Sequence, residues 1–143
     1  CDDLIISRYL LFRITEDHNI IAELHPKPIK GDWNGSGMHT NFSFPYMKEV
    51  GGKEYFEKYL TEFGKYHDEH ILEYGAFNDE RLTGIHETAS ITDYSFGVSD
   101  RGASIRIPMQ TANDGFGYLE DRRPSANMDP YQVCAILIKT TCG

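Results

Sequence analysis

Between Met38 and Glu73 the apolar period of this chain changes from about two to about 3.6 residues, which narrows the folds open to it. Met38, Thr40, Phe42 and Phe44 alternate with His39, Asn41 and Ser43, the spacing of a strand whose second face is polar. From about residue 52 to 73, Tyr55, Phe56, Tyr59, Leu60, Phe63, Tyr66 and His70 form one helical stripe. Two further segments alternate, Ala103–Pro108 and Tyr118–Arg122. In the first, Ser104 and Arg106 oppose Ile105 and Ile107; in the second, Tyr118, Glu120 and Arg122 share a face.

The remaining pieces fit around these. A first helix is expected over about residues 4–16, capped by Asp2 or Asp3, with Ile5, Tyr9, Phe12 and Glu16 on one face. Ile20-Ile21-Ala22 reads as a short strand ended by Pro26 and Pro28. Residues 74–90 read as irregular, and Asp129-Pro130 opens a closing helix to about Thr140. No repeat, linker or βαβ rhythm is present. The sequence predicts one α+β domain, an antiparallel sheet with packed helices.

Composition excludes some functions. The 143 residues carry 22 acidic and 14 basic side chains, a formal charge of −8. So acidic a chain lacks the basic footprint that nucleic acids and anionic membranes require. No apolar run approaches the ~18 residues of a membrane-spanning helix, and no signal-peptide pattern is present. Cys1, Cys134 and Cys142 have no metal-ligand spacing, and reduced thiols in a cytoplasmic protein are expected. The chain begins on Cys1 and stops on Gly143, so it is expected to be a piece of a longer protein.

Three groups of residues could carry chemistry. The face His39, Asn41, Ser43 is either a solvent-facing polar edge or a ligand surface. Gly31, Gly35 and Gly37 just upstream favour a ligand, because backbone without Cβ allows close approach. That loop has neither the dinucleotide nor the Walker spacing. Arg81, Arg101, Arg106, Arg122 and Arg123 are concentrated late in the chain. Surface ion pairing would account for them, but Arg106 and Arg122 alternate with apolar neighbours and suit carboxylate or phosphate oxygens. Glu120 among arginines is either a structural ion pair or, with His39 opposite, a partial metal site. Two ligands are too few for a complete one. His86-Glu87 is a candidate mobile-loop acid or base, while His18, His25, His67 and His70 read as bystanders.

Together these segments resemble eukaryotic-type glutamine synthetase. Lys27-Pro28-Ile29 with Asn34-Gly35-Ser36-Gly37-Met38-His39-Thr40-Asn41-Phe42-Ser43 resembles the family's ATP-region signature. Arg81-Leu82-Thr83-Gly84 and His86-Glu87-Thr88 resemble its substrate arginine and flap. Asp100-Arg101-Gly102-Ala103-Ser104-Ile105-Arg106 resembles its phosphate-binding segment. Tyr118-Leu119-Glu120-Asp121-Arg122-Arg123-Pro124 with Asn127-Met128-Asp129-Pro130 resembles its final catalytic block.

The resemblance implies ATP-dependent ligation of ammonia to the glutamate γ-carboxylate through γ-glutamyl phosphate, with Mg or Mn. It implies metal ligation by His39 and Glu120. Nucleotide contacts would come from Asn41, Phe42, Ser43, Arg101, Arg106 and Tyr118. Glutamate contacts would come from Trp33, Asn34, Gly35, Arg81, Arg101 and Arg122, with Glu87, Arg101 and Arg122 catalytic. It also implies a ring-based homo-oligomer, a decamer of two stacked five-membered rings. By the same resemblance residues 1–143 are the C-terminal portion of the catalytic domain. The family's N-terminal β-grasp domain and its upstream metal carboxylates are absent, so the piece alone is expected to be inactive. A truncated, non-catalytic relative and a γ-glutamyl-amine ligase of the same superfamily are the alternatives. Asp100 stands where the eukaryotic enzymes usually have Asn. Its charge is expected either to weaken the grip of Arg101 on phosphate or to point away.

Overall fold

The computed structural model describes residues 1–49 and 51–143. In chain order the elements are α1 (Asp2–Glu16), β1 (Thr40–Phe42), α2 (Lys53–Lys65), α3 (His67–Glu73), β2 (Phe96–Val98), β3 (Ile105–Ile107), α4 (Met109–Asp114), β4 (Leu119–Asp121) and α5 (Pro130–Cys142). Short 3-10 turns occupy Pro45–Lys48 and Asn78–Glu80. The sheet runs β1-β4-β3-β2, with β4 antiparallel to both its neighbours and β2 parallel to β3. The class is α+β as the periodicities predict, with one parallel pair at the edge.

One face of this sheet meets α2 and α5. Phe42, Ile105 and Leu119 point down from β1, β3 and β4 onto Phe56, Tyr59, Leu60 and Phe63 of α2 and Val133, Ile136 and Leu137 of α5. Met47, on the turn after β1, closes the cluster and is fully buried. Each such side chain contributes roughly 1.5–3 kcal/mol by leaving water. The Asp129 side chain caps α5, accepting from the Tyr131 N–H at 2.8 Å, and Pro130 follows in the first turn.

The structure corrects several expectations. The helix read over 52–73 is two helices, interrupted at Tyr66 (φ −102°, ψ 20°). The bend turns His67 and His70 inward while Tyr55 and Tyr66 stay exposed. Ile20-Ile21-Ala22 is not a strand; Ile21 is 89% exposed, and no described strand pairs with the segment. Helix α1 is capped at Cys1 without a side-chain bond, and it buries no residue. Ile5, Tyr9 and Phe12 face outward. It is held instead by Leu4 against the core and by Arg8, which donates to the carbonyls of Met128 (2.8 Å) and Ala126 (2.7 Å). Neither β2 nor α4 was expected from the apolar pattern. No described helix is long and apolar enough to cross a membrane.

Candidate active site

Pairing register places Asn41 opposite Glu120, and Glu120 opposite Arg106. Directly opposed residues share a sheet face, so these three form one row across β1, β4 and β3, on the side away from the core. Glu120 is the centre of the row. Its Oε2 accepts from Arg106 at 3.0 Å, and its Oε1 accepts from Arg122 at 3.0 Å and lies 3.0 Å from His39 Nδ1. His39, Glu120, Arg106 and Arg122 thus stand together, as the alternation requires.

Burial first, then the neighbouring Arg122 charge, hold the His39 pKa below the usual histidine value, against the pull of Glu120. The imidazole is therefore neutral at pH 7, the form that ligates metals. Arg106 Nε is buried and has no hydrogen-bond partner among the described residues. A buried donor left unpaired costs about 1–3 kcal/mol, and an anionic oxygen placed over the row would relieve that cost.

Beside the row lies a cleft of about 310 Å³, bounded in part by Asn34, Gly35, His39, Arg81, Glu87 and Arg122. Its wall is the glycine loop. A Cβ at Gly35 would come within 2.4 Å of Arg81 Cγ and 2.7 Å of the Pro26 carbonyl. One at Gly37 would come within 2.6 Å of an Arg81 nitrogen and 3.0 Å of His39 Nε2. Glycine is needed here for close approach, not for a turn.

Arg81 is 4% exposed. Its Nε donates to Asn78 Oδ1 at 3.0 Å, and one terminal nitrogen donates to the carbonyls of Arg122, Arg123 and Pro124. Burial lowers its pKa to about 10, which leaves it charged at neutral pH. Most of its donors hold the chain after β4, a role the sequence reading did not anticipate, while its surface still borders the cleft. Trp33 is exposed and does not border the cleft; its carbonyl accepts from Lys27 Nζ, which tethers the loop.

At the rim, His86 and Glu87 both adopt left-handed backbone, φ 55° and 58°. Such conformations cost roughly 1–3 kcal/mol each in residues other than glycine, so this loop is strained where it meets the cleft. His86 Nε2 lies 3.2 Å from Asp32 Oδ1, off the line of a hydrogen bond. Glu87 approaches Arg101 at 3.5 Å, and the Arg101 carbonyl accepts from Arg122 Nε at 3.1 Å. The Asp100 carboxylate accepts from the Gly102 N–H at 2.8 Å. The carboxylate is thus engaged by the backbone of its own turn.

The expected nucleotide residues divide. Asn41 and Arg106 lie in the row, and Tyr118 is partly exposed just before β4. Ser43 Oγ donates to the Gly117 carbonyl at 2.6 Å. Phe42 is a correction: it faces the core, edge-on to Phe63 at 5.1 Å between ring centroids. Period two puts it on the face opposite Asn41, so its side chain cannot reach the cleft.

Two comparisons of sequence bear on this geometry. The family model described as glutamine synthetase, catalytic domain, matches residues 1–63. A glutamine synthetase of Saccharomyces cerevisiae is 53% identical over 142 residues, 99% of this chain and 38% of the relative. Those of Eremothecium gossypii (52% over 142 residues, the same two shares) and Agaricus bisporus (54% over 140 residues, 98% and 40%) are similarly close. The chain belongs to the glutamine synthetase family. It spans about two fifths of the length of these curated relatives.

The glutamine synthetase resemblance implies a divalent metal, and the residues present fit part of its shell. His39 offers a neutral imidazole and Glu120 a carboxylate 3.0 Å away, a donor pair that suits such ions. Among the described residues no three His, Cys, Asp or Glu side chains are grouped to hold a metal.

Sequence reasoning also missed what holds β4 from behind. Asp121 and Arg123, fully buried on the core face, bond each other at 2.7 Å, and Tyr74 donates to Asp121 at 2.6 Å. His67 and His70, read as bystanders, contact Arg123 at 3.0 and 3.3 Å. The same alternation that singled out Glu120 and Arg122 assigns Asp121 and Arg123 to the inner face.

Proposed function

We propose that this chain is the phosphate-gripping part of a glutamate–ammonia ligase. The observation that carries this is the row of His39, Glu120, Arg106 and Arg122 beside a cleft bordered by Asn34, Gly35, Arg81 and Glu87. Arg122 and Arg81 would hold glutamate by its carboxylates. The γ-carboxylate oxygen attacks the terminal phosphorus of ATP, giving γ-glutamyl phosphate and ADP. Ammonia then attacks the acyl carbon, and phosphate leaves. Arg106, with its unpaired Nε, and Arg101 at the rim would neutralise the phosphoryl oxygens, and Glu87 would take the ammonium proton. A divalent ion, Mg or Mn, held in part by His39 and Glu120, would supply further neutralisation of phosphate charge. Such chemistry depends on positioning and electrostatics more than on protein nucleophiles.

The whole assembly, on this proposal, is a cytoplasmic ring-based homo-oligomer, a decamer, whose remaining metal carboxylates lie outside these residues. Alone, the chain would not turn over. The test replaces the matching segment of the S. cerevisiae relative with these 143 residues and measures γ-glutamyl hydroxamate from glutamate, hydroxylamine and MgATP. Activity that disappears in Arg122→Leu supports the reading. A chimera of the relative's size and melting temperature that makes no product refutes it.

A further inference from the structure

The two thiols nearest each other in this fold lie outside the cleft and have no part in the proposed reaction. Cys1 caps the N-terminus of α1, and Cys134 lies on the second turn of α5. Their sulfurs are 3.5 Å apart, in contact, although the residues are 133 positions apart in sequence. The Cys1 thiol also approaches the Pro130 carbonyl at 3.5 Å, so it sits over the start of α5. Cys1 is exposed, Cys134 is half-buried, and both are free. The third thiol, Cys142, is exposed at the far end of α5, its sulfur 3.7 Å from the Thr141 hydroxyl.

Helix α1 is the element this contact would affect most. None of its residues is buried, and Arg8 and Leu4 supply most of its hold on the rest of the chain. The Asp2 carboxylate, which accepts from the Tyr131 hydroxyl, brings the helix start to α5 at the same point.

We infer that Cys1 and Cys134 form a peroxide-responsive pair whose disulfide latches α1 to α5. The exposed Cys1 sulfur attacks one peroxide oxygen; the O–O bond breaks, giving a sulfenic acid and water. The Cys134 sulfur then attacks the Cys1 sulfur, the S–O bond breaks, and a second water leaves with the remaining thiol proton. Two thiols are oxidised by two electrons, and one hydrogen peroxide is reduced to two waters. Thiols already in contact react at an effective concentration of millimolar order, about a hundredfold above chains at ~10 μM. The intramolecular bond therefore forms before any dimer.

Trypsin separates the three cysteines: Cys1 in the peptide ending at Arg8, Cys134 between Arg123 and Lys139, Cys142 in the last four residues. The folded chain is treated with hydrogen peroxide, alkylated and mapped without reduction. The expected result is one linked pair, Cys1 with Cys134, an alkylated Cys142, and a thermal midpoint raised on the order of 8 °C and reversed by dithiothreitol. Cys142→Ser leaves the pair intact, and Cys134→Ser abolishes the midpoint shift. In about 6 M guanidinium, which unfolds the chain, selectivity passes to Cys134 with Cys142, the shortest loop to close. A native chain that links Cys134 to Cys142, forms disulfide dimers first, or oxidises its three thiols equally overturns the inference.

Discussion

Strand β4 carries two ion networks on opposite faces, one residue out of step. The inner one, Asp121 with Arg123, is sealed: their side chains are 0% and 1% exposed. Both Asp121 oxygens are engaged, Oδ1 by the Arg123 N–H and Nε, Oδ2 by Tyr74 and an Arg123 terminal nitrogen. The outer one, Glu120 with Arg106, Arg122 and His39, is only partly covered, Arg106 being 31% and His39 35% exposed. It also leaves Arg106 Nε without a partner among the described residues. The residue types are nearly the same. What differs is completeness: the inner network has its partners inside the protein, and the outer one leaves a donor over for a ligand. Burial alone would raise the Asp121 pKa, but the Arg123 guanidinium and the bonds from Arg123 and Tyr74 hold it below the usual carboxylate range.

The largest effect therefore belongs to the inner face. Asp121→Asn removes the charge that offsets Arg123 and is expected to cost about 3–5 kcal/mol of folding stability. Urea unfolding of the reduced chain measures it. A loss below about 1 kcal/mol would mean that water or a rearranged neighbour solvates Arg123, and the contrast between the faces would fail.

Acid separates the networks next. Burial and then the Arg123 charge depress His70 to about 4, against the pull of Asp121. Because the folded value lies below the unfolded value of about 6.5, the folded state binds fewer protons between these limits. This contribution is fully present above pH ~6.5 and is lost as pH falls to ~4, on the order of 3 kcal/mol in all. His39 acts with the same sign, and Asp121 adds its loss at still lower pH. Unfolding midpoints in urea from pH 4 to 7 should show the slope, and His70→Gln should remove most of it. An unchanged slope in that variant would assign the acid sensitivity to the outer face.

Much of this was legible, and the limit of legibility is physical. Period two names the faces of β1, β3 and β4 whatever surrounds them, so Asn41, Glu120 and Arg106 are each legible as polar-face residues of their own strand, while the register that lines them up is set by strand pairing. Alternation cannot say which polar face is covered. Surface ion pairing is one reading of Arg123, and Asp121 has no separate reading, because charged residues are almost never fully buried unless paired and the pairing runs through Tyr74, His67 and His70, far off in sequence. The family motif groups Phe42 with the nucleotide residues, while its own parity assigns the side chain to the core, where the structure has it. Strand β2 has three residues, one glycine between two exposed apolar side chains, too short a run for alternation to be read. Ile20-Ile21-Ala22 shows the converse, strand propensity without a partner strand.

Arg81 joins the two faces, since it borders the cleft and also holds the carbonyls that follow β4. Gly35→Ala would push a methyl carbon to 2.4 Å from Arg81 Cγ and 2.7 Å from the Pro26 carbonyl. Overpacking of this kind costs about 1–3 kcal/mol. In the chimera the same change should also raise the KM for glutamate more than it lowers kcat, because it displaces a side chain that borders the cleft. A stability loss with unaltered KM would make Arg81 a purely structural arginine.

The smallest effect on stability, and the sharpest comparison, comes from Glu120→Gln, one residue from Asp121→Asn and chemically its twin. The carboxamide keeps one oxygen for Arg122 and turns an N–H₂ group toward Arg106, two donors facing each other. On the inner face that mismatch would be trapped. Here Arg106 and His39 are about one-third exposed and can swing into water, so screening limits the cost to about 1 kcal/mol. Stability in urea should hardly change, while hydroxamate formation by the chimera should fall at least a hundredfold, about 2.7 kcal/mol in the barrier. If Glu120→Gln instead destabilises the chain as much as Asp121→Asn does, the outer network is a second structural clamp. The row across β1, β4 and β3 would then be part of what folds the chain and not a surface kept open for phosphate.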